Sequence, residues 1–234
     1  MNKIQNSDFK LEDLLEISNG CKPYQAGYGK NLSGVPFTKE DVKNRIYHSF
    51  EKEDETYYPE LKGRDVKRFH IDEAKNYIKW GDWLMSPKDK KFQFSPKILL
   101  RQIIGEKFIC SIDTNNHIAD QSLYILINKE GQDFSLTSML GVLNSKLLSF
   151  FFRKYYSEED DLFPKIKVNE LKKLPIVKFS PKLDSKISDI VQTVITTKRN
   201  DPLVNTTELE HEIDHLVYEL YGLTEEEIEV VEGS

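Results

Sequence analysis

The segment Leu61–Phe69 places four basic side chains and one glycine within nine consecutive residues. Lysine and arginine neutralise phosphate groups, and a glycine lets the backbone approach a ligand closely. Residues 57–107 contain 12 basic and 7 acidic residues, and aromatic side chains flank the basic ones. Positive charge combined with flat side chains is typical of surfaces that bind nucleic acids. The alternative is a solvated basic face whose aromatic neighbours belong to the core.

The net charge of the whole chain is -6, but this charge is divided unevenly along the sequence. Residues 1–180 carry 29 basic and 26 acidic side chains, whereas residues 181–234 carry 4 and 13. An acidic C-terminal segment that does not touch a polyanion is compatible with a basic face on the larger part. The overall charge therefore does not exclude a nucleic-acid ligand.

The length and composition indicate a globular protein. A chain of 234 residues with 38% hydrophobic content can bury a core, and we expect one large domain or one domain with an appendage. Cys21 and Cys110 are the only cysteines, and they form no CxxC pair. The N-terminus lacks the pattern of a signal peptide, and no apolar run approaches the roughly 18 residues of a membrane span. These features predict a cytoplasmic protein without membrane contact.

The middle of the chain has the pattern of short strands, and its N-terminal part that of loops. Glycines are frequent between residues 20 and 34, which predicts a loop, and Thr38 with Asp41 predicts a capped short helix. Apolar runs separated by glycine, proline and asparagine then predict a mainly antiparallel sheet. The predicted strands are 77–79, 83–85, 97–104, 108–112 and 123–127.

Helical periodicity begins after Ser135, a predicted N-cap, with an apolar stripe that continues to Phe151. Two further amphipathic helices follow Pro181 and are separated by Pro202, which predicts a helical hairpin. Thr224 and Glu227 predict a capping box for a last short helix. The expected fold is α+β: a twisted, mainly antiparallel sheet with flanking helices, followed by a C-terminal helical hairpin. We expect a larger domain over residues 1–180 and the hairpin over 181–234.

Residues His211–His215 match HExxH, the zinc-binding motif of metalloproteases, on a predicted helix. That helix buries Leu209, Ile213 and Leu216, which leaves both histidines on its polar side. We therefore interpret them as a solvated pair, with a metal site as the alternative.

Three other motifs resemble enzyme signatures. Glu60 and Lys62 form the Glu-x-Lys half of a nuclease signature, which also occurs often by chance. The segment Gly29–Gly34 has the glycine spacing of a P-loop, but Val35–Pro36 follows where Lys and Ser or Thr are needed. The acidic run Glu158–Asp161 is interpreted as a solvated loop, and a cation site is the alternative.

Several motifs, taken in order, resemble a known family, the TaqI-like C-terminal specificity domain. The resemblance extends from about residue 11 to residue 179, and its specificity lies in the combination. The C-terminal segment Leu220–Ile228 is similar to the C-terminus of the large enzymes that carry such domains. The motifs are Gly20–Gly27 (GCKPYQAG), Leu61–Asp65 (LKGRD), Gly81–Leu84 (GDWL), Ser95–Arg101 (SPKILLR), Asp120–Tyr124 (DQSLY), Leu143–Leu147 (LNSKL) and Leu174–Ile176 (LPI).

This resemblance implies the target-recognition part of type II restriction-modification enzymes and adenine-specific DNA methyltransferases. In those enzymes a methyltransferase part flips and methylates the adenine, while the recognition part grips the flanking duplex. The sequence has no Asn-Pro-Pro-Tyr or Asp-Pro-Pro-Tyr motif and no glycine-rich cofactor loop after a strand. We therefore expect no catalytic residue, metal or cofactor in this chain, and S-adenosylmethionine only in the associated methyltransferase part.

The expected partners are double-stranded DNA and a methyltransferase part, with a nuclease part and self-association through the C-terminal helices as further expectations. Two alternatives remain at this point: a protein-protein assembly module that uses the helical hairpin, and a metal-dependent hydrolase. We favour double-stranded DNA as the ligand and expect the recognition domain, residues 1–180, to bind it.

The candidate DNA contacts are the basic residues of the middle third and the polar residues of the glycine-rich loop. Arg64, Lys67 and Arg68 would share one face if the segment were helical and would scatter if it were extended. Gln121 and Asn116 are secondary candidates, since amide side chains pair with adenine. The candidates are Lys62, Arg64, Lys67, Arg68, Lys88, Lys90, Lys91, Lys97, Arg101, Lys22, Tyr24, Gln25, Lys30 and Asn31. The hypothesis requires the basic residues to gather on one concave flank.

Overall fold

The computed structural model describes residues 2–5, 7–156 and 165–233. Within these ranges short strands alternate with helices, and the last third is helical. The strands are β1 (Phe9–Lys10), β2 (Leu15–Asn19), β3 (His48–Ser49), β4 (Tyr57–Leu61), β5 (Val66–Lys67), β6 (His70–Ile71), β7 (Asn76–Lys79), β8 (Lys97–Arg101), β9 (Cys110–Asp113), β10 (Ile118–Ala119), β11 (Leu123–Asn128) and β12 (Pro175–Ile176). The helices are α1 (Asn2–Gln5), α2 (Leu11–Leu14), α3 (Lys39–Asn44), α4 (Lys90–Phe94), α5 (Leu136–Asn144), α6 (Lys146–Tyr156), α7 (Val168–Leu171), α8 (Pro181–Asn200), α9 (Thr207–Tyr221) and α10 (Glu225–Glu232).

The described strands form two four-stranded sheets and two two-stranded ones, β1-β12 and β5-β6, rather than the single sheet expected from the sequence. The first sheet has the order β10-β4-β7-β3, and the second has the order β2-β11-β8-β9. All pairs in the second sheet are antiparallel, whereas β10 runs parallel to β4 in the first. Strands β8 and β11 form the centre of the second sheet, where Ile98–Leu100 and Leu123–Ile127 are buried. The predicted α+β class with mainly antiparallel pairing is confirmed.

The chain passes from the first sheet to the second within residues Ala119–Leu123, which we call the sheet junction. Gly20 lies against it so closely that a Cβ atom would be 1.9 Å from the carbonyl oxygen of Asp120. The backbone N–H of Cys21 donates to Ala119 (2.7 Å), and that of Asp120 donates to Leu61 (2.9 Å). Three distant segments of the sequence therefore meet at one point.

Helices α5, α6, α8 and α9 cover one face of the second sheet and share its hydrophobic core. Helices α5 and α6 supply Leu140, Leu143 and Phe152 to this core. Helices α8 and α9 bury their apolar stripes in the same core, with Val191 and Val217 fully inaccessible. The C-terminal helical hairpin is therefore present, and its apolar faces are covered by the rest of the chain. The proposed boundary at residue 180 stays a prediction.

Asn144, the last residue of α5, continues the hydrogen bonding of the second sheet at its edge strand β9. Its side-chain amide donates to the carbonyl oxygen of Cys110 (3.0 Å) and accepts from the N–H of the same residue (3.1 Å). The backbone N–H of Phe69 also donates to the Cys110 carbonyl (3.0 Å). The outward polar groups at this position of the strand are thus satisfied.

Several local predictions are confirmed at the level of individual caps. Thr38 caps α3 with a capping box to Asp41, Ser135 caps α5, and Thr224 caps α10 in a capping box.

The predicted strand at 83–85 is wrong, since the backbone turns there and the N–H of Leu84 donates to Gly81. The single helix expected after Ser135 is interrupted at residue 145, which has an extended backbone between α5 and α6. The acidic run 158–161 lies outside the described residues. No helix in the described ranges has the length and hydrophobicity needed to cross a bilayer.

Gly141 allows α8 to pack closely against α5, and this predicts the effect of a larger side chain. A Cβ atom on Gly141 would lie 2.8 Å from methyl groups of Ile187 and Val191. We expect Gly141→Val to lower the free energy of unfolding by at least about 2 kcal/mol in urea denaturation, because the core must be overpacked. Gly105→Val is the matched control, since no atom lies within 4 Å of its new Cβ. Equal stability of Gly141→Val and wild type would contradict this packing.

Candidate nucleic-acid interface

A cleft of about 290 Å³ opens beside the sheet junction. It lies between the loop that follows β2, the C-terminal half of α3 and the start of the β10–β11 connection. Its lining residues are Cys21, Lys22, Pro23, Tyr24, Val42, Lys43, Arg45, Glu60, Asp120 and Gln121. Three of these side chains are basic and two are acidic, so the cleft is polar with an excess of positive charge.

A buried carboxylate, that of Glu60, organises the basic side chains of the cleft. Its side chain is 2% exposed and lies 3.3 Å from an Arg45 guanidinium nitrogen and 3.0 Å from His48 Nε2. The ammonium group of Lys62 is 3.7 Å away. Burial raises the pKa of Glu60, but the hydrogen bond from His48 and the positive charges of Arg45 and Lys62 outweigh it, so the net shift is downward. Glu60 is therefore an anionic anchor for its neighbours.

Tyr24 holds the imidazole of His48, which in turn contacts Glu60. Its hydroxyl accepts from the backbone N–H of Tyr47 (2.8 Å) and lies 2.9 Å from Nδ1 of His48. With the Nδ1 lone pair accepting from Tyr24, the Nε2–H of His48 donates to Glu60. Burial raises the pKa of the Tyr24 hydroxyl above its ordinary value. Tyr24 was predicted as a DNA contact, and the structure leaves it only its half-buried ring for that purpose.

Of the predicted loop residues, Lys22 lines the cleft, and Gln25 is hydrogen-bonded to it. The ammonium group of Lys22 donates to the side-chain oxygen of Gln25 (2.7 Å), and the Lys22 backbone pairs with Ser86. This pairing brings the turn containing Lys88 close to the cleft. Burial raises the pKa of Cys21 to about 12, and the nearby charge of Lys88 acts in the opposite direction. Lys88 thus belongs to the same basic environment as Lys22.

A second group of basic residues surrounds the turn Gly63–Asp65, next to the cleft. The N–H of Gly63 donates to the hydroxyl of Ser122 (2.7 Å), which fixes the turn to the sheet junction. The carbonyl oxygen of Arg64 accepts from Lys67 (2.7 Å) and from Arg101 (3.2 Å). The side chain of Arg64 itself is 69% exposed. The structure therefore gathers Lys62, Arg64, Lys67 and Arg101 around one turn.

Arg68 does not belong to this group, and its assignment as a DNA contact is wrong. The segment is a 3₁₀ turn followed by a strand rather than a helix, so Arg64, Lys67 and Arg68 do not share one helical face. Its guanidinium lies 2.7 Å from Glu210 on α9 and donates to the carbonyl oxygens of Phe108 (3.0 Å) and Asn144 (2.7 Å). Arg68 therefore joins the C-terminal helices to the sheet.

Lys97 was also predicted to contact DNA, and this prediction is wrong because its side chain is completely buried. Its ammonium group lies 2.7 Å from Asp113 and donates to the carbonyl oxygen of Gln93 (2.6 Å). The same carboxylate is 2.7 Å from Nδ1 of His117. A charge buried in this way cannot reach a phosphate, and its role is to pair β8 with β9.

The remaining candidates do not line the cleft. Lys91 forms an ion pair with Glu16 on β2 (2.5 Å), and Lys90 is exposed at the start of α4. Lys30 is exposed, whereas the Asn31 side chain holds its own loop together. Of the secondary candidates, Gln121 lines the cleft, and Asn116 is exposed in the turn after β9.

Sequence reasoning missed Arg45, Lys43 and His48, which belong to the cleft or its anchor. No motif marks them, because α3 and β3 are short and their positions in space depend on the first sheet. The two histidines of the HExxH match, His211 and His215, are exposed on the outer side of α9. Within the described ranges no three histidine, cysteine or acidic side chains are close enough to hold a metal ion.

The comparisons with known proteins define the family. The model of the TaqI-like C-terminal specificity domain matches residues 58–176, which is about half of the chain. The chain therefore belongs to the family of TaqI-like C-terminal specificity domains, and the resemblance seen in the sequence is confirmed. A Methanocaldococcus jannaschii protein, by name a type II restriction enzyme and methyltransferase, is 30% identical over 189 residues. This match covers 77% of the present chain and 16% of the relative.

Solved structures share the fold. The type IIL restriction-modification enzyme MmeI, determined in complex with DNA, matches 93% of this chain with a TM-score of 0.63 and 11% identity. The type IIG restriction endonuclease BpuSI matches 94% of this chain with a TM-score of 0.52 and 12% identity. The matched parts are 34% and 33% of those chains. The present chain thus spans about a third of these structures and less of the curated relative.

The contacts of Arg68 predict that its loss destabilises the fold. Arg68→Met should lower the free energy of unfolding by about 2–3 kcal/mol, because Glu210 loses the nearer of its two charged partners and two carbonyl groups lose a donor. Urea denaturation at neutral pH measures this loss. Arg64→Met, at the exposed position in the same segment, should remain within about 0.5 kcal/mol of wild type. Similar losses in both variants would contradict the assignment.

The buried pair of Lys97 and Asp113 predicts an acid-dependent contribution to stability. Burial raises the pKa of Asp113, but His117 and Lys97 outweigh this effect and lower it from 3.8 to about 2. A lowered carboxyl pKa stabilises the fold above about pH 4 and loses its effect as the pH falls through about 2. Between pH 5 and pH 2, the free energy of unfolding of the double variant Lys97→Met, Asp113→Asn should therefore fall by about 2 kcal/mol less than that of wild type. Parallel pH curves from urea denaturation would contradict this prediction.

Proposed function

We propose that this chain recognises a target sequence in double-stranded DNA as the specificity part of a restriction-modification enzyme. The observation that supports the proposal most directly is the grouping of basic residues on both sides of the sheet junction in a specificity-domain fold. Lys22 and Arg45 lie in the cleft on one side, and Arg64 and Arg101 lie around the turn on the other. Lys62 stands between the two groups, bound to the same carboxylate as Arg45.

The chemistry of these side chains separates two tasks. Exposed cations such as Arg64 and Lys67 suit phosphate contacts, which position the protein on the duplex without reading sequence. Gln121 at the cleft and Gln25 beside Lys22 carry amides that can donate and accept at the edge of an adenine. The proposed interface therefore combines charge neutralisation at the turn with base contacts at the cleft.

The chain would act beside a methyltransferase part that carries out the reaction. The name of the curated relative joins a restriction enzyme and a methyltransferase, and the present chain matches only 16% of its length. In this proposal S-adenosylmethionine and adenine methylation belong to that other part, the chain alone catalyses nothing, and the assembly works in the cytoplasm. Because the apolar stripes of α8 and α9 are already buried, contacts with a methyltransferase, a nuclease part or a second copy would use their outer, polar faces.

Salt-dependent DNA binding tests this proposal. Fluorescence anisotropy with labelled random duplexes should show affinity falling steeply between about 50 and 200 mM salt, since bound phosphates release counterions. The double variant Arg64→Gln, Lys67→Gln should bind all duplexes more weakly, and its slope against the logarithm of salt concentration should decrease by about 2.

A matched control removes two charges elsewhere. Lys182→Gln, Lys186→Gln changes two exposed residues of α8 and should leave both the affinity and the slope unchanged. Binding that does not depend on salt, or equal losses in the two double variants, would overturn the proposal that this turn contacts DNA.

A further inference from the structure

We propose that Arg45 reads a guanine of the target sequence, and that the buried carboxylate of Glu60 fixes its guanidinium for this purpose. This inference rests on the proposed function and adds to it a specificity-determining residue. It follows from three features of Arg45: its backbone conformation, the partial anchoring of its side chain, and the network beneath its anchor.

The backbone of Arg45 has a conformation that favours glycine. The residue is the C-cap of α3, with φ 49° and ψ 52° in the left-handed region. Glycine or asparagine usually occupies this position, because other side chains are strained there. Strained backbone conformations cluster at functional sites, and Arg45 has such a conformation at the wall of a cleft. The conformation directs a long side chain from the end of the helix into the cleft.

The guanidinium is anchored on one side only. One terminal nitrogen contacts Glu60 (3.3 Å), whereas the side chain as a whole is 46% exposed. The Nε and the other terminal nitrogen have no hydrogen-bond partner among the described residues. These free donors belong to a side chain that lines the cleft. Two parallel N–H groups on a fixed plane match the O6 and N7 acceptors of guanine in the major groove.

The network below Glu60 makes this anchor rigid. His48 donates to Glu60 and is itself held by Tyr24, whose hydroxyl is fixed by the backbone of Tyr47. The carboxylate is almost fully buried, so water does not compete for it. Because each member of the chain is held by the next, the plane of the Arg45 guanidinium has little freedom.

This arrangement favours a base contact over a phosphate contact. A neighbouring carboxylate partly neutralises the charge of Arg45, which weakens attraction to a phosphate. It also holds the orientation of the guanidinium, which a phosphate contact does not require and a bidentate base contact does. The exposed Arg64, 69% accessible and not anchored in this way, has the opposite properties. The two arginines therefore suit different tasks.

The test uses selection from a randomised duplex library by the whole chain and by four variants. Wild type should enrich a motif that contains at least one fixed G·C pair. Arg45→Gly should lose preference at that pair by about 5- to 150-fold while keeping the other positions. Arg45→Lys should lose the same position despite its positive charge, because an ammonium group lacks the planar fork. Glu60→Gln should weaken the same preference, and Lys186→Gln should change nothing.

Two measurements separate base reading from other roles. Replacing the affected guanine by 7-deazaguanine removes the N7 acceptor, so it should weaken wild type and leave Arg45→Gly unaffected. Arg45→Gly should unfold at a urea concentration no lower than that of Arg45→Ala, since glycine adopts the left-handed conformation without strain. This comparison shows that a changed motif does not result from misfolding.

The outcomes distinguish this inference from the proposed function. If wild type enriches no motif and binds without salt dependence, both fail. If wild type enriches a motif that Arg45→Gly also enriches, DNA recognition stands and the Arg45 assignment is overturned. A uniform loss of affinity with a smaller salt slope in Arg45→Gly would make Arg45 a phosphate contact and would also overturn it.

Discussion

The site depends on the close approach of Gly20 to the carbonyl group of Asp120. At this point the chain leaves the first sheet and enters the second, and the loop that follows β2 is bonded to the same backbone. A side chain at residue 20 has no room there, because its Cβ would overlap the carbonyl oxygen. The cleft, the turn at Gly63 and the side chains of Lys22 and Gln121 are all placed by this contact. The segments that carry functional residues up to about a hundred positions apart in sequence are thus brought together by backbone contacts.

The basic residues of the middle third serve two purposes, and burial decides between them. A buried charge needs a partner of opposite sign and further hydrogen bonds, since its desolvation is costly. Lys97 and Arg68 meet this requirement with Asp113 and Glu210, and they stabilise contacts between elements. Basic residues at the surface have no such requirement, and their charge is available to a ligand. Charge counts along a sequence do not separate these two classes.

The sequence predicts most of what depends on local physics. The caps at Thr38, Ser135 and Thr224 follow from side chains that bond to the next turn of backbone. The central strands β8 and β11 follow from continuous apolar runs. The family could be inferred because its motifs keep their order.

What the sequence did not predict depends on contacts between distant segments. The division into two sheets arises at the junction, where β10 pairs in parallel with β4 across more than fifty residues. Arg68 was misassigned because its partner, Glu210, lies 142 positions away in a different helix. Arg45 carries no motif, and its role depends on the tertiary placement of Glu60 and on a backbone conformation that composition does not reveal. Sequence patterns thus found the basic region but not the arrangement within it.

The amide of Asn144 at β9 has a consequence for how copies of the protein behave at high concentration. The exposed edge of a sheet is a template on which a strand from another molecule can add, and such growth leads to aggregates. Here a helix end places an amide, and the segment before β6 places an N–H, on the outward groups of Cys110. A strand arriving from a neighbouring molecule would find those groups already occupied. The same residue that ends α5 therefore blocks strand addition at this position of the edge.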